Sequence, residues 1–157
     1  MAELEQDERA IRQGMIDTCL RMNASGINQG TSGNLSRRSG EGFLITPSSM
    51  PYDVMQPGDI VAMGFDARYT GRRPSSEWRI HRDILAARPE VGAVLHCHAT
   101  YATTLACHHR DIPAFHYMVA VAGGASIRCA PYGNLRQPDA VGRGPAGAGG
   151  AAGLSAR

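Results

Sequence analysis

The first apolar pattern along the chain is helical. Between residues 6 and 24, Ile11, Met15, Ile16, Cys19, Leu20 and Met22 recur at about 3.6 residues, and Gly26 supplies a stop. The spacing predicts a helix over 6–24. NQGTSGNLS (28–36) is polar and glycine-rich and reads as a loop. GFLIT (42–46) reads as a strand broken by Pro47-Ser48-Ser49, and DIVAM (59–63) reads as another. Pro74-Ser75-Ser76-Glu77 reads as a helix start with a serine N-cap and an acidic first turn. That helix is expected to run through Ile80, Ile84 and Leu85 to about Arg88. A short β-rich run (91–98), a helix (101–109) and a last strand (126–132) complete the pattern. Strands and helices mix without a strict βαβ rhythm, which predicts a layered α/β or α+β domain.

The pattern fails after Tyr132. The last 25 residues hold seven of the chain's 19 glycines, and Leu135, Val141 and Leu154 are their only sizeable apolar residues. Residues 1–132 therefore read as one domain, and 133–157 as a disordered Gly/Ala-rich tail.

Composition narrows the class. Hydrophobic residues make up 43% of the chain, yet no apolar run approaches the roughly 18–20 residues that cross a bilayer. The N-terminus is charged, so no signal peptide is expected, and the cytoplasm is the expected compartment. Basic and acidic residues mix to a net charge of +2 without a basic run, which disfavours nucleic acid and membrane as partners. Cys19, Cys97, Cys107 and Cys129 form no CxxC pair and are expected to be free thiols.

Three local patterns can carry chemistry. In His96-Cys97-His98, residues two apart on a strand share a face, so two imidazoles stand side by side. That is a natural clamp for zinc; it is also what two half-buried strand histidines look like. Ser75 and Ser76 at a helix start offer hydroxyls and free backbone N–H groups to a phosphate, with Glu77 beside it as a base. The same residues also fit an ordinary helix cap. Gly30-Thr31-Ser32-Gly33-Asn34-Leu35-Ser36 is either a ligand loop or a plain turn, and it is neither a Walker loop nor GxGxxG.

Taken in order, IDTCLRM, NQGTSGNLS, FLITPSSMPY, PSSEWRIH, AVLHCHA, IPAFHYMVAVAGG and IRCAPY resemble the class II aldolase and adducin-head family over about residues 10–132. The detail is most similar to the family's fuculose-phosphate type. The resemblance implies a three-layer α-β-α fold with a central, mainly antiparallel sheet, assembled as a homotetramer with active sites between subunits. It implies zinc held by His96 and His98, with Glu77 as catalytic acid/base and an additional zinc contact. It implies a substrate phosphate held by Gly33, Asn34, Ser48, Ser49, Ser75 and Ser76, and Tyr117 as a second proton carrier. The implied reaction is zinc-dependent cleavage of a phosphorylated sugar, of the L-fuculose 1-phosphate type, to dihydroxyacetone phosphate and an aldehyde. A sugar-phosphate 4-epimerase, a dehydratase and a non-catalytic adducin-like module are the alternatives on this scaffold.

Two departures qualify the resemblance. At Ser48-Ser49 the fuculose type has Thr-Gly, so a glycine is replaced. The family's third zinc histidine lies downstream, and this chain has no histidine after His116. That loss is expected to impair metal binding and activity. The codons for 133–137 can reread as ATFG and a serine after loss of one base, so a frame slip after Tyr132 is expected, with natural truncation as the alternative.

Overall fold

The computed structural model describes residues 2–121 and 123–131, with side chains from residue 6 onward within this range. Two compact units divide the chain after His98. The first contains α1 (Ala2–Ala24), β1 (Asn34–Ser39), β2 (Gly42–Ile45), a 3-10 turn at Pro57–Asp59, β3 (Val61–Gly64), β4 (Tyr69–Thr70), α2 (Trp78–Ala87) and β5 (Ala93–His96). The described part of the second holds α3 (Thr100–Cys107) and α4 (Tyr117–Val121).

The strands of the first unit form a single sheet in the order β4-β3-β2-β1-β5. Every neighbouring pair is antiparallel. Successive side chains alternate between its faces, and two cores result. On one face Leu35 and Leu44 meet Met15, Ile16, Cys19 and Met22 of α1, with Tyr52, Met55 and Ile60 closing the cluster. On the other, Phe43, Ile45, Val61 and Met63 meet Leu85 of α2, with Trp78 and Val94 at its edge. The unit is therefore an α-β-α sandwich around an antiparallel sheet. The helix expected over 6–24 is α1, and Gly26 after it takes the positive φ (77°) of a chain reversal.

Some expectations need correction. The segment 28–36 is not loop throughout, because β1 begins at Asn34. The N-cap of α2 is Glu77 and not a serine, and no acidic residue occupies its first turn. In place of a strand over 126–132, the described residues form an isolated bridge between Ile112 and Ile127. The reading of 133–157 as a tail lies outside the described residues. All four cysteines are free thiols.

Ser49 has φ 57°, in the left-handed region where a Cβ is crowded. This is the position where the resemblance expects glycine, so serine holds a glycine-like turn at a cost of about 1–2 kcal/mol. Glycine removes that strain but frees the unfolded chain. Ser49→Gly is expected to raise the unfolding free energy by about 0.5–1 kcal/mol, read from urea denaturation. An unchanged or lowered midpoint would show that the serine is not strained.

Candidate metal centre

Three segments deliver donors to the sheet face that α2 covers. β5 ends at His96, and His98 lies just beyond the ladder. Glu77 comes from the N-cap of α2. β1 runs beside β5 with Asn34 opposite His96 and Ser36 opposite Val94.

His96 Nε2 lies 2.9 Å from His98 Nε2 and 3.0 Å from Glu77 Oε2. One ligand atom from each of Glu77, His96 and His98 lies within 4.8 Å of the others. A tetrahedral zinc ion with bonds of about 2.0–2.1 Å spaces its ligand atoms by about 3.3 Å, so the cluster has the dimensions of a cation site. Its chemistry fits as well. Two imidazoles and one carboxylate are a three-ligand catalytic zinc set, which leaves a coordination position open. Among the described residues no other His, Cys, Asp or Glu side chains gather in this way.

Glu77 is only 3% exposed. A carboxylate taken out of water is costly unless hydrogen bonds replace its hydration. Asn34 Nδ2 donates to Glu77 Oε2 at 2.6 Å. The amide oxygen of Asn34 meets His81 Nε2. His81 Nδ1 lies 2.7 Å from Ser36 Oγ. His81 and Ser36 are fully buried. Burial, reinforced by His96, pushes the His81 imidazole down to about 4, against the opposing pull of Glu77 and the Val94 backbone. His81 is therefore neutral at neutral pH.

The glycine-rich loop braces the histidines. Asn28 Oδ1 accepts hydrogen bonds from the backbone N–H of His98 at 3.2 Å and from Ser32 Oγ at 3.0 Å. Gly33 lies so close to the next strand that a Cβ there would stand 2.8 Å from the His96 carbonyl oxygen. Tyr52 O–H donates to the carbonyl of the same glycine at 2.5 Å.

The candidate phosphate residues fall on neighbouring segments. Pro47 bridges Pro74, Ser48 N–H donates to the Arg73 carbonyl, and Ser75 N–H donates to the Thr46 carbonyl. Thr46 N–H donates to the Leu35 carbonyl, so the start of β1 borders the same strip. The two segments run antiparallel, so Ser48 lies opposite Arg73 and Ser75 opposite Thr46, and the two serine pairs flank the Pro47–Pro74 bridge, with Glu77 directly after Ser76. Ser75 is buried and its hydroxyl accepts from Glu77 N–H at 3.3 Å. Ser49 and Ser76 are exposed. Gly33 and Asn34 serve the interior, and one of Asn34's two amide donors is committed to Glu77. Tyr117 opens α4 in the second unit, is largely exposed, and stacks at a tilt on His116 with ring centroids 4.4 Å apart.

Sequence reasoning missed Asn28, Ser36 and His81. Two had a signal. His81 follows Glu77 by one helical turn, and Ser36 follows Asn34 by one strand repeat, so each shares a face with a residue already singled out.

Gly33→Ala is expected to destabilise the chain by about 1–3 kcal/mol in urea denaturation, because the new methyl meets the His96 carbonyl oxygen as well as the Met22 and Asn28 side chains, and the carbonyl cannot swing aside as a side chain can. A neutral result would show that β1 and β5 do not approach as closely as described. His81 sets a pH dependence of defined sign. Below its ordinary value of 6.5 the unfolded chain takes up a proton that folded His81 refuses until about pH 4. The stability contributed by neutral His81 is complete above pH 6.5 and is lost as pH falls through this window, on the order of 3 kcal/mol. Urea midpoints of metal-free wild type and His81→Gln, compared between pH 7 and 4.5, are expected to show a shallower loss in the variant. Parallel curves would exclude a buried neutral histidine.

The model of the class II aldolase and adducin N-terminal domain matches residues 13–150. A 5-methylthioribulose-1-phosphate/5-deoxyribulose-1-phosphate aldolase from Rhodospirillum rubrum is 54% identical over 124 residues, covering 78% of this chain and 56% of the relative. An L-fuculose phosphate aldolase from Escherichia coli strain K12 is 45% identical over 127 residues, covering 80% of this chain and 59% of the relative. A solved L-fuculose 1-phosphate aldolase superposes with a TM-score of 0.75 at 36% identity, covering 80% of this chain and 60% of that one. The chain thus spans less than two thirds of the length of these relatives. With the family model matching most of its residues, the chain belongs to the class II aldolase and adducin N-terminal domain family.

Proposed function

We propose that this chain carries the metal centre of a class II aldolase, and that the whole protein cleaves a ketose 1-phosphate into dihydroxyacetone phosphate and an aldehyde. The observation that carries this reading is the convergence of Glu77, His96 and His98. Zinc suits the donor set, with His96, His98 and Glu77 as its ligands. When bound, the cation supplies Lewis-acid stabilisation of the negative charge that C–C cleavage develops.

The protein's own groups account for the rest of the reaction. Cleavage breaks the C3–C4 bond of the ketose. The C4 hydroxyl loses its proton and becomes the aldehyde, and the bonding pair stays on the three-carbon fragment. Glu77 delivers a proton to C3 of that fragment, which completes dihydroxyacetone phosphate. Tyr117 is assigned the proton at the aldehyde oxygen. The strip of Ser48, Ser49, Ser75 and Ser76, with Gly33 and Asn34 at its border, holds the phosphate and keeps C3 in register with Glu77. The expected assembly is the family's tetramer, in the cytoplasm. No described helix is long and apolar enough to cross a membrane.

Relatives named for 5-methylthioribulose and 5-deoxyribulose 1-phosphate reach 54% and 48% identity, against 45% for those named for L-fuculose phosphate. This favours a 5-deoxyribulose 1-phosphate type of substrate over the fuculose type that the motifs alone suggest. Both types present the same phosphorylated end to the serine strip.

The test is metal analysis of the purified chain, with dihydroxyacetone phosphate release from 5-deoxyribulose 1-phosphate and L-fuculose 1-phosphate. One zinc site per chain is expected, held more weakly than in a protein with the third histidine, and His98→Ala is expected to lower its affinity by more than about a further 100-fold, beyond what outer residues of a metal site contribute. Conversion without cleavage would identify an epimerase. A wild-type chain that holds no stoichiometric zinc would be an interaction module and would sink the aldolase reading.

A further inference from the structure

We propose that His81 and Asn34 are positioning residues for Glu77, joined with Ser36 in a hydrogen-bond chain of one fixed direction. The proposal rests on the metal-centre reading above and adds groups outside the ligand set.

The direction follows from the chemistry of the four side chains. An ionised carboxylate only accepts, so Asn34 must turn its Nδ2–H toward Glu77 Oε2, 2.6 Å away. Its Oδ1 then faces His81 Nε2. An amide oxygen only accepts, so the imidazole proton sits on Nε2. Neutral histidine has one remaining lone pair, on Nδ1, and Ser36 Oγ–H donates to it at 2.7 Å. Reversing any one bond sets two donors or two acceptors against each other. The chain therefore selects a single amide orientation for Asn34.

That selection matters at Glu77. A flipped Asn34 would present its oxygen to the carboxylate, and two acceptors at that distance repel. The amide would then rotate away, leaving Glu77 without this partner in a site where it is 3% exposed. His81 prevents the flip by holding Asn34, which in turn donates to Glu77. Its place on α2, one turn after Glu77, and that of Ser36 on β1, two residues after Asn34, tie the carboxylate to both elements. Outer groups that orient metal ligands typically change affinity by about 10–100-fold when removed.

The experiment compares His81→Leu with His81→Gln in the purified chain, titrated with Co2+ and followed by visible absorption, together with thermal melts. Glutamine can donate to Asn34 and accept from Ser36 at once; leucine can do neither. His81→Leu is expected to bind Co2+ about 10–100-fold more weakly with an altered spectrum, and His81→Gln to recover to within about threefold of wild type. Wild-type affinity and spectrum in a folded His81→Leu, or equal losses in both variants, would overturn the proposal. Should the leucine variant not fold, 15N–1H NMR of wild-type His81 at neutral pH decides. A proton on Nε2 supports the chain, and a proton on Nδ1 refutes it. Failure of wild type to bind Co2+ would sink the metal-centre reading itself, while the NMR result still tests the direction of the chain.

Discussion

The hydrogen bond from Asn34 to the buried carboxylate of Glu77 joins the two halves of the sandwich's active face. Glu77 stands where α2 begins, and Asn34 where β1 begins. A carboxylate at this depth is tolerated only if its solvation is replaced, and the replacement comes from β1 and from His96 of β5. The N-terminus of α2 adds to it, since a helix start favours negative charge. Arg38 fixes the other end of the same helix. Its guanidinium donates to the carbonyls of Leu85, Arg88 and Val91, where the dipole favours a cation. α2 is thus tied to the sheet by polar bonds at both ends, with Leu85 in the apolar cluster between them. Residues four apart on α2, Glu77, His81 and Leu85, run from site to core on one face.

This arrangement explains which parts of the fold were legible in the sequence. α1 and β2 bury apolar residues at the helical and strand periods, so the hydrophobic pattern revealed them. β1 did not show itself because its face toward α2 is occupied by Asn34 and Ser36. A polar network replaces the apolar stripe there, and NLSRRS reads as loop. α2 was found, but Ile80 and Ile84 are only half-buried, while the fully buried positions are His81 and Leu85. The serine cap was misassigned because Ser75 precedes the helix in a turn of its own, with Trp78 N–H bonded to its carbonyl. Glu77 follows from the helix geometry; serine follows only from cap preference. In each case buried polar residues defeated a reading that equates burial with hydrophobicity.

The glycine-rich loop shows the same principle from the other side. As a sequence it offers donors and close backbone approach, the usual signs of a ligand loop. In the fold those features turn inward. Asn28 holds the backbone of His98, and Gly33 admits the carbonyl of His96 at a distance no side chain would allow. Both histidines are therefore braced through their backbones by a segment some 60–70 residues earlier in the chain. Ser49 is the contrasting case. There the turn demands a conformation suited to glycine, and a serine occupies it, adding a hydroxyl beside Ser48. The exchange trades backbone comfort for a donor on the strip proposed to hold phosphate.

In the role proposed for it, Glu77 both binds a metal and moves a proton, and such a group faces conflicting demands. As a ligand it must stay near the cation; as an acid or base it must be available to the substrate carbon. If the cation alone fixed its orientation, release from the metal would let the carboxylate swing freely, and the proton transfer would lose its geometry. An anchor independent of the cation resolves the conflict. The proposed Ser36–His81–Asn34 chain would be such an anchor, because it approaches Glu77 from the interior through side chains that are not among the ligands. Its use of a neutral histidine follows from the same logic. A charged imidazole there would compete with the cation for the carboxylate, whereas a neutral one orients the amide and leaves the negative charge of Glu77 to the metal and the substrate.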